Sequence, residues 1–94
     1  MQLRDNYKYA YIDSATTTQL VTGQGSLVRI IVGETAAGAI SIIDNTSGST
    51  VNIGQLKASI AEGTYEFGVQ FVTGLRIITA AASKITVVYS QLPS

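Results

Sequence analysis

The side chains of this chain that could do chemistry are carboxylates, hydroxyls, lysines and tyrosines, because its 94 residues include no histidine and no cysteine. Imidazole and thiolate are the commonest general bases, nucleophiles and zinc ligands. The carboxylates do not stand beside one another in apolar segments that would separate their pKa values, as an acid/base pair requires. They are Asp5, Asp13, Glu34, Asp44, Glu62 and Glu66. We therefore expect no enzyme and no cofactor.

Two short motifs suggest ligand binding but lack its other requirements. Gly23-Gln24-Gly25 lacks the third glycine, the lysine and the following helix of a phosphate loop, so we predict a loop between strands. Asp44 and Asn45 could contribute to a calcium site, yet no spaced run of oxygen ligands surrounds them. We expect no metal site.

Charge and hydropathy exclude two classes of partner. Six cationic side chains balance six anionic ones. A neutral chain has no electrostatic attraction for nucleic acid or for anionic lipid. Its apolar stretches are far shorter than the roughly 18 residues that span a bilayer. We therefore expect neither nucleic acid nor membrane as a partner.

The segment Tyr7-Lys8-Tyr9-Ala10-Tyr11 is the most informative cluster. Alternate side chains of a strand share a face, so the three tyrosines would form an aromatic stripe. The stripe could contact another protein, stack on sugar rings, or pack as a ladder in the core or at a sheet edge. Arg and Tyr are enriched at interface hot spots. We predict a protein interface formed by Arg4, Tyr7, Tyr9 and Tyr11.

The elements that position these residues are strands, because apolar residues recur with a period of two throughout the chain. Ile, Val and Thr supply 30 of the 94 residues, and β-branched side chains favour strands. Between Gln55 and Ala61, Leu56 and Ile60 are four residues apart, so a single helical turn is the alternative there. The predicted runs are 7–13, 16–22, 26–33, 39–44, 50–56, 64–72, 75–79 and 83–90.

Seven or eight strands at this spacing predict an all-β protein, an antiparallel two-sheet sandwich that is jelly-roll-like. We expect a single sandwich domain over residues 7–94, preceded by an N-terminal arm over residues 1–6. Three runs are apolar on both faces, which predicts that another subunit or a covering loop buries the outer face. They contain Leu27, Val28 and Ile30–Val32, then Ile40, Ile42 and Ile43, and last Ile85, Val87 and Val88.

The size of the chain favours self-assembly. A domain just under 100 residues buries only about two-thirds of its unfolded surface. Without disulfides or a metal, association of identical copies is the remaining route to stability. We therefore expect a homo-oligomer, with a trimer preferred over a dimer.

From Gly25 onward the chain resembles small β-sandwich virion proteins of tailed bacteriophages, among them capsid cement or decoration proteins. The resemblance implies a protein made in the host cytoplasm and located on the capsid exterior, where it binds and stabilises the major capsid protein. The alternatives are a tail, collar or adaptor component, or a carbohydrate-binding attachment module. The residues that carry the resemblance are 25–32, 38–44, 63–67, 71–75 with Ile77 and Thr79, and 85–89.

Overall fold

The computed structural model describes residues 7–48 and 50–91, and all the regular structure in these ranges is β-strand. The predicted all-β class is confirmed, and seven of the eight strands begin and end close to the predicted runs. The eight strands are β1 (Tyr7–Ile12), β2 (Thr17–Thr22), β3 (Gly25–Glu34), β4 (Ile40–Asp44), β5 (Gly54–Leu56), β6 (Gly63–Phe71), β7 (Gly74–Thr79) and β8 (Lys84–Gln91).

The strands form two antiparallel sheets of four. The first sheet has the order β1-β8-β3-β6, and the second has the order β2-β7-β4-β5. β1 pairs with β8, β2 with β7, β3 with β6 and β4 with β5, so the chain is one long hairpin rolled into two layers. Nested pairing of eight strands in two sheets is the arrangement of a jelly roll. The predicted sandwich is therefore confirmed.

The core lies between the inner faces of the two sheets. The inward side chains are almost entirely Ile, Leu and Val, since every second residue of each central strand points inward. Burial of this apolar surface supplies the main favourable free energy of folding. The buried cluster contains Ile12, Val21, Leu27, Ile30, Val32, Ile40, Ile42, Leu56, Phe71, Leu75, Ile77, Ile85 and Val87.

The outer apolar side chains of the two sheets differ in burial. Ile43 lies opposite Arg76 on the outer face of the second sheet and is nevertheless fully buried. Arg76 Nε donates to the carbonyl oxygen of Gly48 at 2.9 Å, which ties the turn after β4 to β7. On the first sheet, Ile31 remains 37% exposed and Val88 is half-buried. An outer apolar residue of β4 is therefore buried within the chain, whereas β3 and β8 keep an open outer face.

Two local predictions have different outcomes. The loop predicted at Gly23-Gln24-Gly25 is confirmed as the link between β2 and β3. The N–H of Gly23 donates to the Thr73 carbonyl at 2.8 Å. The alternative of a helical turn at 55–61 is wrong. β5 ends at Leu56, and Ser59 then takes a φ of 58° while its N–H donates to the Ala36 carbonyl at 2.9 Å.

The predicted strand at 50–56 forms only over its last three residues. Its earlier part is irregular, and the side chain of Asn52 takes the place of a strand neighbour of β4 at Asp44. Asn52 Oδ1 accepts the Asp44 N–H at 2.6 Å, and Asn52 Nδ2 donates to the Asp44 carbonyl at 3.1 Å. A side-chain amide can satisfy both backbone groups of an extended residue, so no backbone ladder is needed there.

Candidate interaction surface

The three tyrosines lie on the outer face of β1, which is an edge strand of the first sheet. β1 pairs with β8 in unbroken register, from Tyr7 opposite Ser90 to Ile12 opposite Ile85. Because Ile12 is buried in the core, the alternation directs the tyrosines outward. Tyr7, Tyr9 and Tyr11 are 57%, 76% and 58% exposed. The interpretation of the stripe as part of the core is therefore wrong.

Cross-strand neighbours extend this stripe across the sheet. Tyr9 lies opposite Val88, and Val88 lies opposite Arg29 of β3. In the next row Tyr11 lies opposite Thr86, and Thr86 lies opposite Ile31. β8, which is next to β1 in the sheet, thus places Val88 beside the rings, and β3 places Ile31 one strand further along the same outer face. We call this surface the tyrosine face; it is lined by Tyr7, Tyr9, Tyr11, Ile31 and Val88 and bordered by Arg29 and Glu66.

The charged side chains around the tyrosine face are paired within the chain. Arg29 Nε donates to Glu66 Oε2 at 2.9 Å, and Lys84 Nζ lies 3.0 Å from Glu34 Oε1. The hydrogen bond and the charge of Glu34 raise the pKa of Lys84, and Tyr11 adds to this shift. Because both cations are neutralised locally, the face suits a partner that is aromatic or aliphatic and carries little net charge.

The sequence predictions for this surface have mixed outcomes. The structure brings Tyr7, Tyr9 and Tyr11 together as predicted. Arg4 and the arm at 1–6 lie outside the described residues, so their part in an interface stays a prediction, as does the domain boundary at residue 7. Ile31 and Val88 were not predicted as interface residues. The signal that could have found them is that their strands are apolar on both faces.

A second feature is an open pocket of about 280 Å³ beside the turn between β6 and β7. Asp44 bounds this pocket, and its carboxylate accepts three consecutive backbone N–H groups. Oδ2 accepts from Val72 at 2.9 Å, while Oδ1 accepts from Thr73 at 2.8 Å and from Gly74 at 3.2 Å. The pocket is lined by Asp44, Asn52, Ile53, Val69 and Gln70.

These hydrogen bonds lower the pKa of the Asp44 carboxyl and occupy both of its oxygens. Burial acts to raise the pKa of its carboxyl, but the N–H groups of Val72, Thr73 and Gly74 together outweigh burial and hold the pKa below its usual value. Both oxygens are engaged with the backbone, so Asp44 stabilises the turn and is a poor calcium ligand.

Two negative findings concern the described ranges only. Over residues 7–48 and 50–91, no group of three or more acidic, histidine or cysteine side chains could hold a metal ion. Within these same residues there is no helix long and apolar enough to cross a membrane.

Comparisons with known proteins identify a similar fold but no family. No family model matches the sequence, and no curated protein matches it either. Among solved structures, the chain is similar to the core of the Drosophila protein NLP, whose crystal structure addresses pentamer formation and histone binding. The match covers 90% of this chain and 96% of that chain, with a TM-score of 0.58 and 12% sequence identity. At this identity the likeness shows the fold alone.

This finding corrects the function expected from the sequence. The similar solved structure belongs to a histone-binding protein and not to a phage capsid protein, so the expected cement function is wrong and a capsid partner has no support. The physical reason is that turn glycines and alternating Ile and Val specify a sandwich, whereas partners are chosen by surface residues that differ between proteins of one fold. The resemblance to phage virion proteins itself stays an untested prediction.

Proposed function

We propose that this protein is a non-catalytic β-sandwich module that self-associates and acts through protein–protein contact at the tyrosine face. The observation that carries the proposal is the row of three tyrosines on β1, each more than half exposed. Exposed aromatic side chains in one patch are typical of interaction sites, because they provide large contact area and lose little conformational freedom on binding.

The surroundings of the tyrosines support this role. Ile31 and Val88 extend the apolar surface across β3 and β8, and the ion pair of Arg29 with Glu66 borders it. The exposed parts of the three tyrosine side chains alone amount to roughly 400 Å², about half of what one partner contributes to a stable interface. Contact at this face would therefore bury enough surface to matter once the neighbouring residues join it.

Self-association is supported by two further considerations. The chain has no net charge, so two copies do not repel each other at long range. The crystal structure of the Drosophila protein with a similar fold addresses pentamer formation, which supports self-assembly through this fold. The preference for a trimer over a dimer stays a prediction, and the mass of the assembly in solution tests it.

Histone binding is not part of the proposal. Histones are strongly basic, so a partner for them needs an excess of exposed carboxylates. Here cationic and anionic side chains are equal in number, and Glu34 and Glu66 are already paired with Lys84 and Arg29.

The test is sedimentation of the wild type and of a Tyr7→Ser/Tyr9→Ser/Tyr11→Ser variant at micromolar concentration. We expect the wild type to be oligomeric and the variant to be monomeric with its β-sheet circular dichroism intact, since the tyrosines lie outside the core. Loss of a hot-spot tyrosine commonly costs about 2 kcal/mol of binding free energy. The matched control is Val51→Ser/Val72→Ser, which removes exposed apolar side chains elsewhere and should leave the assembly unchanged.

Two results would contradict the proposal. One is a wild-type protein that stays monomeric over the whole concentration range. The other is a triple-serine variant that associates as strongly as the wild type.

A further inference from the structure

Only one edge of the described sheets suits the addition of another strand. The four edge strands are β1 and β6 in the first sheet and β2 and β5 in the second. β5 has three residues; β2 is interrupted by a bulge at Leu20; and β6 is irregular around Gly68, which has a φ of 60°. β1 keeps its register over six residues. Bulges, short length and charged side chains protect an edge from pairing; β1 has no bulge and is six residues long, and its one charged side chain is Lys8.

We propose that a second copy of this chain adds its own β1 antiparallel to this edge, which joins two four-stranded sheets into one sheet of eight strands. This inference rests on the proposed self-association and specifies its geometry. The contact is two-fold symmetric, with Tyr9 on the axis, and the tyrosine faces of the two copies become continuous. This contact by itself gives a dimer or an assembly built of dimers, so a trimer, the assembly preferred from the sequence, would contradict it.

The pattern of β1 selects this register. Side chains directly opposite each other in an antiparallel pair point to the same side of the sheet, so tyrosines can face only tyrosines across the axis. With Tyr9 opposite its own copy, Tyr7 faces Tyr11 and all three tyrosines are paired. Lys8 then faces the small Ala10 on the other side of the sheet.

The neighbouring registers are less favourable. An axis at Lys8 would place two ammonium groups opposite each other, and like charges directly opposite destabilise a sheet. An axis at Ala10 would leave Tyr7 without a facing tyrosine and would put Lys8 opposite Ile12. The identity of residue 8 therefore contributes to the choice of register.

The chain contains no cysteine, so single cysteines report the register directly. Under oxidising conditions Tyr9→Cys should form a disulfide-linked dimer, because directly opposite residues have the Cα separation that a disulfide requires. Tyr7→Cys, on the same face with similar exposure, should not link to itself. A mixture of Tyr7→Cys and Tyr11→Cys should give the mixed disulfide-linked dimer. We expect the yields of this mixed dimer and of the Tyr9→Cys dimer to be at least about ten-fold higher than the yield of a Tyr7→Cys dimer.

Hydrogen exchange on the wild type provides a measurement that needs no substitution. Backbone amides of β1 that point away from β8 should exchange more slowly in the associated protein than after dilution to the monomer. A protein that is oligomeric without this protection, or one in which Tyr7→Cys links to itself as readily as Tyr9→Cys, would overturn the edge contact and leave self-association intact. A protein that is monomeric at every concentration would overturn both.

Discussion

Replacement of Asp44 by asparagine should destabilise the fold through the turn between β6 and β7. The carboxylate holds three consecutive N–H groups at distances of 2.8 to 3.2 Å. In Asp44→Asn, the carbonyl oxygen can still accept from Thr73 and Gly74, but an NH₂ group replaces the oxygen that accepts from Val72. One hydrogen bond is lost, and two lose the contribution of a charged acceptor.

The size of the effect follows from the value of such bonds. Hydrogen bonds to charged groups contribute about 1.5 to 3 kcal/mol each, compared with about 1 kcal/mol for neutral pairs. Because this turn is accessible to solvent, we take the low end and expect the free energy of unfolding to fall by about 2 kcal/mol. For a domain of this size that corresponds to a decrease in Tm of about 10 °C.

The effect should depend on pH. The pKa of the Asp44 carboxyl is lower in the folded protein than its ordinary value of 3.8. Its contribution to stability is therefore fully present above pH 4 or so and is lost as the pH falls through the folded-state pKa. As the pH falls below about 4, the wild type should lose the stability that the Asp44 carboxylate contributes. Asp44→Asn has no carboxylate at this position to protonate. The difference in free energy of unfolding between the two proteins should therefore become smaller in acid.

Urea unfolding of both proteins at neutral and at acid pH, followed by circular dichroism, measures these quantities. Asp13→Asn removes an exposed carboxylate outside this turn and should change the free energy of unfolding by less than about 0.5 kcal/mol. Equal stability of Asp44→Asn and wild type at neutral pH would show that the carboxylate does not stabilise this turn. So would a difference that persists undiminished in acid.

Two further substitutions test the close packing of the sandwich. Gly25→Ala should lower the Tm strongly, because its Cβ would collide with the backbone carbonyl oxygen of Ser90 and with the ring of Phe71. Gly33→Ala, whose Cβ meets nothing closer than 3.6 Å, should be tolerated, and equal melting curves of the two variants would contradict this. Thr79→Val should lower the free energy of unfolding in urea by about 1 to 3 kcal/mol, because the Thr16 N–H loses the hydroxyl that accepts from it at 3.0 Å. Thr79→Ser keeps this hydroxyl and should retain most of the stability.

Local pattern was sufficient to predict the strands. Alternation with a period of two and turn residues between the runs depend only on neighbouring residues, and they place seven of the eight strands closely. The strand predicted at 50–56 was too long because Asn52 uses its side chain to satisfy Asp44, and a pattern of apolar residues carries no information about that bond. The common face of Tyr7, Tyr9 and Tyr11 was also predictable, since they lie within one strand, but its outward direction was not.

Tertiary structure alone decided which strands meet and which outer faces stay open. Ile31 and Val88 lie beside the tyrosines only because β8 pairs with both β1 and β3. Ile43 is fully buried while Ile31 is 37% exposed, so two strands with the same apolar pattern have different surroundings. Asp44 reaches a turn that begins 28 residues later. These contacts join residues that are distant in sequence. They depend on the order of the strands in each sheet, and the local alternation of apolar residues does not encode that order.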